Sequence, residues 1–406
     1  MDQVLIPPMT PGLESQIGQA VAVAQHAATV PAYAAEWRLA PGDITAETWT
    51  SLPVLSKQQM VTAAAERPPY GGRLAVNPAD IGWVFVAPGP LYMPFTPADM
   101  GRVAVAYGQA LTSCGFSAGD LVDQTLLYNW VIAATMIDRG LAQVGCGIVP
   151  GGPGRTEQHA DVICAAGVTA VIAMPSFLEH LLETIGGRSN KLAKAVILGE
   201  LSDAGAKARI ADTYGIQVRE LYGMADIGAI AYECQSASGM HLRDDLLVEF
   251  LDPQSGQPVL PAKDRPAEIV VTDFEREAMP VVRLSSGDLI DELDTTTCDC
   301  GSAAPRIRRI IGRASDITKV RGLFVVPGQV TRVLRNRGIA ANHCVVVDRK
   351  GGRDILQVLV EGPPPGDAHA IHAALEHEMR LRLELLFNAQ LPEPQRLLHD
   401  RRTFQA

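Results

Sequence analysis

Apolar residues recur along this chain with two different spacings. After Thr96-Pro97 they return every three or four residues, at Val103, Tyr107 and Leu111, as on the buried face of a helix. Thr96 can cap such a helix and proline fits its first turn, while Gly115 is a typical terminator. The pattern therefore predicts a core helix that opens at Thr96 and ends at Gly115.

Between Gly147 and Tyr222, short unbroken apolar runs alternate with helical patterns. The predicted strands cover 148–149, 168–173, 195–198 and 216–221; the predicted helices cover 156–166, a segment capped by Ser176 with Glu179, and 202–214. This alternation is typical of a parallel sheet with helices on its faces. Ligands bind such sheets at the carboxyl ends of the strands, where Gly199-Glu200 and residues 222–226 are expected.

The sequence pattern changes after Asp245, where strands and turns replace the alternation of strands and helices. Strands are predicted at 246–251, 268–272, 281–284 and 307–311. Beyond Arg313 the predicted elements are a strand, a helix over 328–337, strands at 344–348 and 355–361, and a long helix over 367–386. We therefore expect an α/β protein with two domains. Residues 1–313 form a large domain of mixed or parallel sheets, flanking helices and a β-rich subdomain, and residues 314–406 form a small α+β domain.

Composition narrows the classes of partner. The chain has 406 residues, 47% of them hydrophobic, and a formal net charge of −10. This charge argues against nucleic acid or an anionic membrane as the main partner and favours a small molecule. The N-terminus lacks a basic and apolar leader pattern, and seven cysteines form no dense disulfide framework, so we expect a cytoplasmic protein. The oligomeric state stays open, a homodimer included.

Four residues have the chemistry of a metal site. Cys234 and His241 are separated by six residues, and Cys298 and Cys300 by one. Together they offer the four soft or borderline ligands that a closed structural zinc site needs. The alternative is that the cysteines are buried small hydrophobes, although two of them around one Asp, beside Gly301, fit core packing poorly. A catalytic zinc is disfavoured because four protein ligands leave no position for water.

An ordered series of motifs resembles a known family. The segment 221–228, LYGMADIG, resembles the Tyr-Gly-x-x-Glu motif of adenylate-forming enzymes, with Asp226 in place of the Glu. The segments that follow it resemble the phenylacetate–coenzyme A ligase branch of that superfamily; they are Glu233-Cys234, His241, 249–253, 277–280, Arg283, Gly287-Asp288, 298–301 and 311–313. The resemblance extends over roughly residues 30 to 340. It implies a large N-terminal domain with a small C-terminal lid.

This resemblance also implies roles for individual residues. Asp288 would accept hydrogen bonds from both ribose hydroxyls, and Asp226 would help to hold Mg²⁺ against phosphate. The remaining implied contacts are adenine with Gly199, Glu200, Tyr222, Gly223 and Met224, ribose and phosphate with Arg313, and the acid with Tyr128, Trp130, Gly151 and Gly152. Plainer interpretations stay open: a turn-forming Asp288, core packing of Tyr222 and Trp130, and a surface ion pair for Arg313.

Two segments depart from the family pattern. The stretch 86–96, where the family has a hydroxyl- and glycine-rich phosphate loop ending in Lys, contains three prolines and no Lys. Proline has no backbone N–H with which to hold phosphate. No lysine follows Lys350, so the catalytic Lys of the family's small domain is missing, and Arg396 is the candidate substitute. Ser315 stands where the family's hinge has Asp.

The sequence thus predicts an enzyme that uses ATP and Mg²⁺ to activate an aromatic carboxylic acid as an acyl-adenylate, with AMP as the nucleotide product. The acyl group would pass to coenzyme A, a carrier thiol, or a hydroxyl or amine of a second small molecule, and a structural Zn²⁺ would stabilise the fold. Because the departures are extensive, they favour specialised metabolism. The rival hypothesis is a degenerate homologue that binds an aryl acid, nucleotide or partner without adenylation.

Overall fold

The computed structural model describes residues 13–87, 91–200, 205–314, 318–320, 323–350, 353–393 and 396–401. The helices are α1 (Leu13–Ala27), α2 (Pro31–Trp37), α3 (Lys57–Glu66), α4 (Pro97–Ser113), α5 (Ala133–Val144), α6 (Thr156–Ala166), α7 (Pro175–Ile185), α8 (Ala206–Tyr214), α9 (Pro327–Arg335) and α10 (Ala368–Met379). The strands up to the Tyr-Gly segment are β1 (Trp83–Ala87), β2 (Leu91–Phe95), β3 (Leu121–Gln124), β4 (Gly147–Val149), β5 (Ala170–Ala173), β6 (Lys194–Ile197) and β7 (Gln217–Met224).

The later strands are more numerous. They are β8 (Gly228–Glu233), β9 (Met240–Leu242), β10 (Leu246–Leu251), β11 (Ala267–Asp273), β12 (Leu284–Ile290), β13 (Leu293–Asp294), β14 (Arg306–Ile307), β15 (Gly312–Arg313), β16 (Thr318–Val320), β17 (Leu323–Val325), β18 (His343–Lys350), β19 (Arg353–Val360), β20 (Glu384–Leu386) and β21 (Leu398–Asp400). The chain is thus a mixed α/β fold, as expected.

A nine-stranded sheet, in the order β13-β14-β9-β8-β7-β6-β5-β3-β4, forms the centre of the molecule. The five strands from β4 to β7 run parallel, which confirms the predicted alternation, and the pairs from β7 to β13 are antiparallel. Strand β7 was expected to end at Leu221 but continues to Met224, because it turns directly into a hairpin with β8. Tyr222 and Gly223 therefore lie inside a strand.

Gly223 shows why this hairpin needs glycine. A side chain at residue 223 would place its Cβ only 2.4 Å from the carbonyl oxygen of Gly228 on the partner strand. The register between β7 and β8 also shifts between Tyr222 and Gly223. Tyr222 pairs with Ala231 and Gly223 pairs with Ala229, so the extra residue of this bulge is Ile230 of β8.

Helix α4 begins as the sequence predicts. The Thr96 hydroxyl accepts a hydrogen bond from the Asp99 N–H at 3.0 Å, and the Asp99 carboxylate accepts one from the Thr96 N–H at 2.9 Å. Asp99 also accepts hydrogen bonds from the N–H groups of Glu277 and Ala278, at 2.8 and 3.1 Å. A reciprocal cap thus also anchors the β11–β12 connection.

A second sheet, in the order β10-β11-β12-β15, is antiparallel. A strand was expected over 281–284, but β12 starts at Leu284 because Arg283 adopts a left-handed conformation with φ 48°. The Arg283 guanidinium is buried and binds both oxygens of Glu249, each at 3.1 Å. The predicted strand over 307–311 divides into β14 and β15. Strand β15 pairs with β12, so that Asp288 lies opposite Arg313.

The C-terminal segment has its own sheet, in the order β20-β19-β18-β21, with α9 and α10 packed beside it. Its apolar core is built from residues 320 to 398, while the largest core of the molecule ends at Ile307. The predicted long helix over 367–386 is wrong: α10 stops at Met379, because Arg380 is left-handed with φ 53°. The chain after it forms β20. Within the described ranges, no helix has the length and apolarity needed to span a membrane.

Candidate active site and metal centre

A cavity of about 250 Å³ opens where the two large sheets meet. Its lining includes six residues that the sequence assigned to nucleotide binding: Gly199, Glu200, Tyr222, Gly223, Asp288 and Arg313. They come from the end of β6 and from β7, β12 and β15. Strands held in two hydrogen-bonded sheets keep such groups at fixed separations. The sequence-predicted nucleotide residues are therefore brought together, with the exception of Met224, which packs against the core.

Asp288 is the centre of a polar network in this cavity. The Tyr222 hydroxyl donates to Asp288 Oδ2 at 2.9 Å, and Arg313 Nη1 lies 3.0 Å from Asp288 Oδ1. Arg313 also donates to the carbonyl of Ser286 at 2.8 Å. Burial raises the pKa of Asp288, against the opposing charge of Arg313 and the Tyr222 hydrogen bond. Burial and the charge of Asp288 raise the pKa of Tyr222, so its hydroxyl stays a donor.

Glu200 is oriented by a helix start. Its carboxylate accepts hydrogen bonds from the Ser176 hydroxyl at 3.0 Å and from the Ser176 N–H at 3.2 Å. Ser176 was expected to cap α7 with Glu179, but α7 starts at Pro175 and its N-cap Met174 supplies no side-chain cap. The free N–H at the helix start is satisfied by Glu200 instead, at the positive end of the helix dipole.

Asp226 lies in the β7–β8 turn, with a side chain that is 1% exposed. Its Oδ2 contacts the ammonium of Lys57 at 3.0 Å, and its Oδ1 is buried with no hydrogen-bond partner among the described residues. Lys57 is the first residue of α3 and is 38% exposed. A carboxylate oxygen without a partner fits Mg²⁺, which takes one or two protein carboxylates and fills its other positions with phosphate and water.

The residues assigned to the acid follow strands β3 and β4 in the chain. The Tyr128 hydroxyl donates to Asp138 at 2.8 Å, and burial raises the pKa of Asp138. A side chain at Gly151 would overlap the ring of His159, at 2.3 Å from its Cε1. Trp130 is 80% exposed, which excludes core packing. Its carbonyl accepts a hydrogen bond from the Val86 N–H at 2.9 Å, so this loop contacts the β1–β2 hairpin.

His159 and Asp123 form a buried pair next to that glycine. His159 Nδ1 lies 2.7 Å from Asp123 Oδ2, and Nε2 lies 2.9 Å from the Gly152 carbonyl oxygen. Both ring nitrogens face acceptors, so the ring is held as an imidazolium. The hydrogen bond to Asp123 is the main reason that the pKa of His159 is raised. The pair fixes the Gly151-Gly152 turn.

Arg396 is not brought to the nucleotide cavity. Its side chain is exposed, and its backbone bonds are to Glu393 and His399. The departures at Pro88, Gly89 and Pro90 and at Ser315 and Asp316 lie outside the described residues.

The four candidate metal ligands converge. The ligand atoms of Cys234, His241, Cys298 and Cys300 all lie within 4.8 Å of one another. The Cys234 and Cys298 sulfurs are 3.7 Å apart, and the Cys300 sulfur is 3.6 Å from His241 Nε2. A tetrahedral zinc with its usual bond lengths separates two thiolates by roughly 3.8 Å. His241 Nδ1 faces the Ala304 carbonyl at 3.3 Å, which leaves Nε2 for the metal. The donor set fits zinc.

Sequence reasoning missed Lys57, Asp138 and the His159–Asp123 pair. Lys57 is 169 positions from Asp226 in the chain, so no local pattern links them. A weak signal was present nonetheless. A Lys immediately after the capping Ser56 is opposed by the helix dipole, and a residue that breaks a local rule is a candidate for function.

No family model matches the sequence. The phenylacetate–coenzyme A ligase of Aromatoleum evansii is 26% identical over 322 residues, which cover 75% of this chain and 72% of that ligase. The phenylacetate–coenzyme A ligase of Thermus thermophilus is 26% identical over 308 residues, covering 72% and 68%. A crystal structure of an open conformation of 2-hydroxyisobutyryl-CoA ligase, in complex with 2-HIB-AMP and CoA, superposes with a TM-score of 0.81 at 22% identity and covers 98% of this chain and 97% of that chain.

The chain is thus similar in sequence to phenylacetate–coenzyme A ligases over about three quarters of its length, and it shares the fold of an adenylate-forming CoA ligase.

Proposed function

We propose that the protein uses ATP to convert an aromatic carboxylic acid into an acyl-adenylate and then transfers the acyl group to a nucleophile. The observation that carries this proposal is the cavity in which Tyr222, Asp288 and Arg313 contact one another beside Gly199-Glu200. Asp288 would bind the ribose hydroxyls, and the cavity of about 250 Å³ is the right size for a nucleoside. The names of the sequence relatives favour an aryl acid.

In the proposed reaction, a carboxylate oxygen of the acid attacks the α-phosphorus of ATP. The bond between the α-phosphorus and the bridging oxygen breaks, and pyrophosphate leaves with the electron pair. When bound, Mg²⁺ supplies charge neutralisation at the phosphates, and Asp226 would hold it through Oδ1. Arg313 reaches ribose and phosphate oxygens. The acid would lie near Tyr128, Trp130 and the Gly151-Gly152 turn.

The metal cluster is proposed as a structural zinc site. Cys234 follows β8, His241 lies in β9, and Cys298 and Cys300 precede β14. Zinc would thus tie together the antiparallel half of the central sheet, in which β8 pairs with the strand that carries Tyr222. All four positions of a tetrahedral ion are taken by protein ligands, which fits a structural role.

The acceptor is proposed to enter between the large and small domains, which we place at residues 1–313 and 314–406. A cleft of about 500 Å³ is lined there by Lys207, Arg308, Arg309, Arg332 and Arg335. It shares Glu220 and Ile310 with the nucleotide cavity. The lining also contains Glu220, Glu233 and Glu292, so five basic residues stand beside three acidic ones, and this excess of positive charge favours an acceptor that carries phosphate, such as coenzyme A.

The test is acid-dependent exchange of pyrophosphate into ATP with zinc-loaded protein. The panel contains phenylacetate, hydroxy- and amino-substituted benzoates and the aliphatic 2-hydroxyisobutyrate. We expect exchange with at least one aromatic acid and little with 2-hydroxyisobutyrate. Exchange with the aliphatic acid alone would refute the aromatic assignment, and no exchange with any acid would refute adenylation.

One observation favours a second function, binding without catalysis. The chain has no lysine after Lys350, and Arg396 is exposed away from the cavity. Such a protein would retain AMP binding through Asp288 and Tyr222, with weak binding of Mg-ATP. Calorimetry with the two nucleotides, run beside the exchange assay, separates the two functions.

A further inference from the structure

The cation that the reaction needs at the phosphates is missing from both of its expected places in the sequence. The stretch 86–96 contains no lysine, and neither does the chain after residue 350. Lys57 lies far from both segments in sequence, at the start of α3. Helix α3 packs against β2, which is one arm of the hairpin that carries the altered loop, and against β12, which carries Asp288.

The position of the Lys57 ammonium is defined by Asp226. The ion pair has a length of 3.0 Å, and the Asp226 carboxylate is buried at the tip of the β7–β8 hairpin. The charge of Lys57 also lowers the pKa of Asp288, although burial dominates there. The ammonium thus lies near both carboxylates of the proposed nucleotide site.

The Lys57 ammonium has unused hydrogen-bonding capacity. It carries three N–H donors, and Asp226 is its one described hydrogen-bond acceptor. The side chain is 38% exposed, so the remaining donors can reach a ligand. Arg276 is a second cation near Asp226, but it is 2% exposed, stacks on Phe95 and donates to the Pro94 carbonyl. Of these two cations, only Lys57 can contact a bound nucleotide.

The helix itself gains nothing from this lysine. A cation in the first turn is repelled by the positive end of the helix dipole. The Ser56 hydroxyl accepts a hydrogen bond from the Gln59 N–H, and the Gln59 side chain accepts one from the Ser56 N–H, so the helix is capped without Lys57. The same end attracts anions, so α3 and its lysine present positive charge in one direction.

We propose that Lys57 is a catalytic residue that donates hydrogen bonds to the phosphate oxygens of bound ATP, with Asp226 holding its ammonium in place. It would stabilise the negative charge that builds up as the acid attacks the α-phosphorus and pyrophosphate leaves. The inference rests on the proposed adenylation for its catalytic part. Its binding part, the contact with phosphate, is testable without any turnover.

The experiment compares the wild type with Lys57→Met, Lys57→Arg and Gln58→Met. Gln58 is exposed and lies in the same helical turn, and its side chain makes no hydrogen bond with another described residue, so it is the matched control. Circular dichroism and zinc content confirm that each variant folds. Calorimetry with adenosine, AMP and Mg-ATP then measures binding, and pyrophosphate exchange measures the reaction.

We expect Lys57→Met to bind adenosine as the wild type does and to bind Mg-ATP at least about tenfold more weakly. Exchange should fall by roughly 10²–10³-fold, the usual loss for one preorganised charge donor. Lys57→Arg should recover part of both, and Gln58→Met should match the wild type. If Lys57→Met binds Mg-ATP and exchanges pyrophosphate within threefold of the wild type, the inference is wrong.

The two proposals can fail separately. If the wild type shows no pyrophosphate exchange with any acid, the proposed adenylation is refuted. A selective loss of Mg-ATP binding in Lys57→Met would still establish the contact between Lys57 and phosphate. If exchange is present in the wild type and Lys57→Met weakens adenosine as much as ATP, the side chain supports the cavity without contacting phosphate, and the inference is wrong.

Discussion

The two halves of the proposed nucleotide site are built differently. On the nucleoside side, Tyr222, Asp288 and Arg313 come from paired strands and hold one another at 2.9–3.0 Å. On the phosphate side, the polar groups come from a turn and a helix start, and one oxygen of Asp226 has no described partner. The nucleoside half is thus preorganised, while the phosphate half needs its ligand to complete it.

This difference indicates which parts of the site can change in sequence without loss of the fold. Asp288 and Arg313 are a cross-strand pair, so the sheet sets their relative positions. The sequence departs from the phosphate-loop pattern of the adenylate-forming enzymes elsewhere, in the stretch 86–96. The predictions below test whether the nucleoside half is as rigid, and as independent of the phosphate half, as this contrast requires.

The largest effect is expected from loss of the zinc that we propose at the cluster of Cys234, His241, Cys298 and Cys300. Cys298→Ser should abolish zinc binding and lower the free energy of unfolding by more than about 4 kcal/mol, since lost metal ligands are among the few strongly destabilising changes. Metal analysis and chemical denaturation measure the two effects. Cys164→Ser is the matched control, because Cys164 lies in α6, outside the cluster. A stable Cys298→Ser protein with full zinc would contradict the assignment.

A smaller effect, confined to binding, is expected from Asp288→Asn. Hydrogen bonds to a charged group contribute about 1.5–3 kcal/mol, so AMP and Mg-ATP should both bind roughly 10- to 100-fold more weakly. Asp226→Asn should weaken Mg-ATP and leave AMP within about threefold of the wild type. Calorimetry with both nucleotides checks this. Equal losses for AMP in the two variants would break the division into halves.

The pH dependence of Asp288 gives a third, milder test. Because burial raises its pKa, the carboxylate takes up a proton at a higher pH than an exposed Asp. As pH falls through this raised pKa, adenosine binding should weaken, since a neutral carboxyl no longer accepts from both ribose hydroxyls. The free energy of unfolding should rise over the same pH interval, because protonation removes the cost of burying the charge of Asp288. Titration calorimetry of adenosine from pH 7 to pH 4 measures the first effect, and Asp288→Asn should give a flat profile.

The features that could be predicted from the sequence are mainly those that local patterns or motifs determine. Parallel strands and helix starts were read correctly from local patterns, as at Thr96, and an ordered series of motifs located Tyr222, Asp288 and the four metal ligands. Local patterns failed where a distant partner decides the structure. Ser176, for example, binds Glu200 instead of capping its helix. Two other misses are local: β7 continues directly into a hairpin with β8, and α10 ends early at the left-handed Arg380.

Lys57 illustrates the limit most clearly. The sequence shows that lysines are missing near residues 86–96 and after 350, but a single lysine after Ser56 carries no sign of its partner. Only the packing of α3 against β2 and β12 brings its ammonium to Asp226. The buried His159–Asp123 pair is hidden for the same reason, since its members lie on a helix and a strand 36 positions apart.

The smallest effect is expected from a change at His159. It tests whether the His159–Asp123 pair makes the Gly151-Gly152 turn as rigid as the strands of the nucleoside half. The pKa of His159 is raised above its ordinary 6.5, so the pair contributes its full stabilisation below that pH and loses it as pH rises through the folded-state pKa. In His159→Gln the amide can still donate to Gly152, but the charge is gone. Thermal denaturation should therefore show the variant less stable by about 2 kcal/mol at pH 6, with the gap closing toward pH 9. A gap that stays constant with pH would mean that packing beside Phe177, and not the ionic bond, holds this turn, and the rigid region would then end at the central sheet.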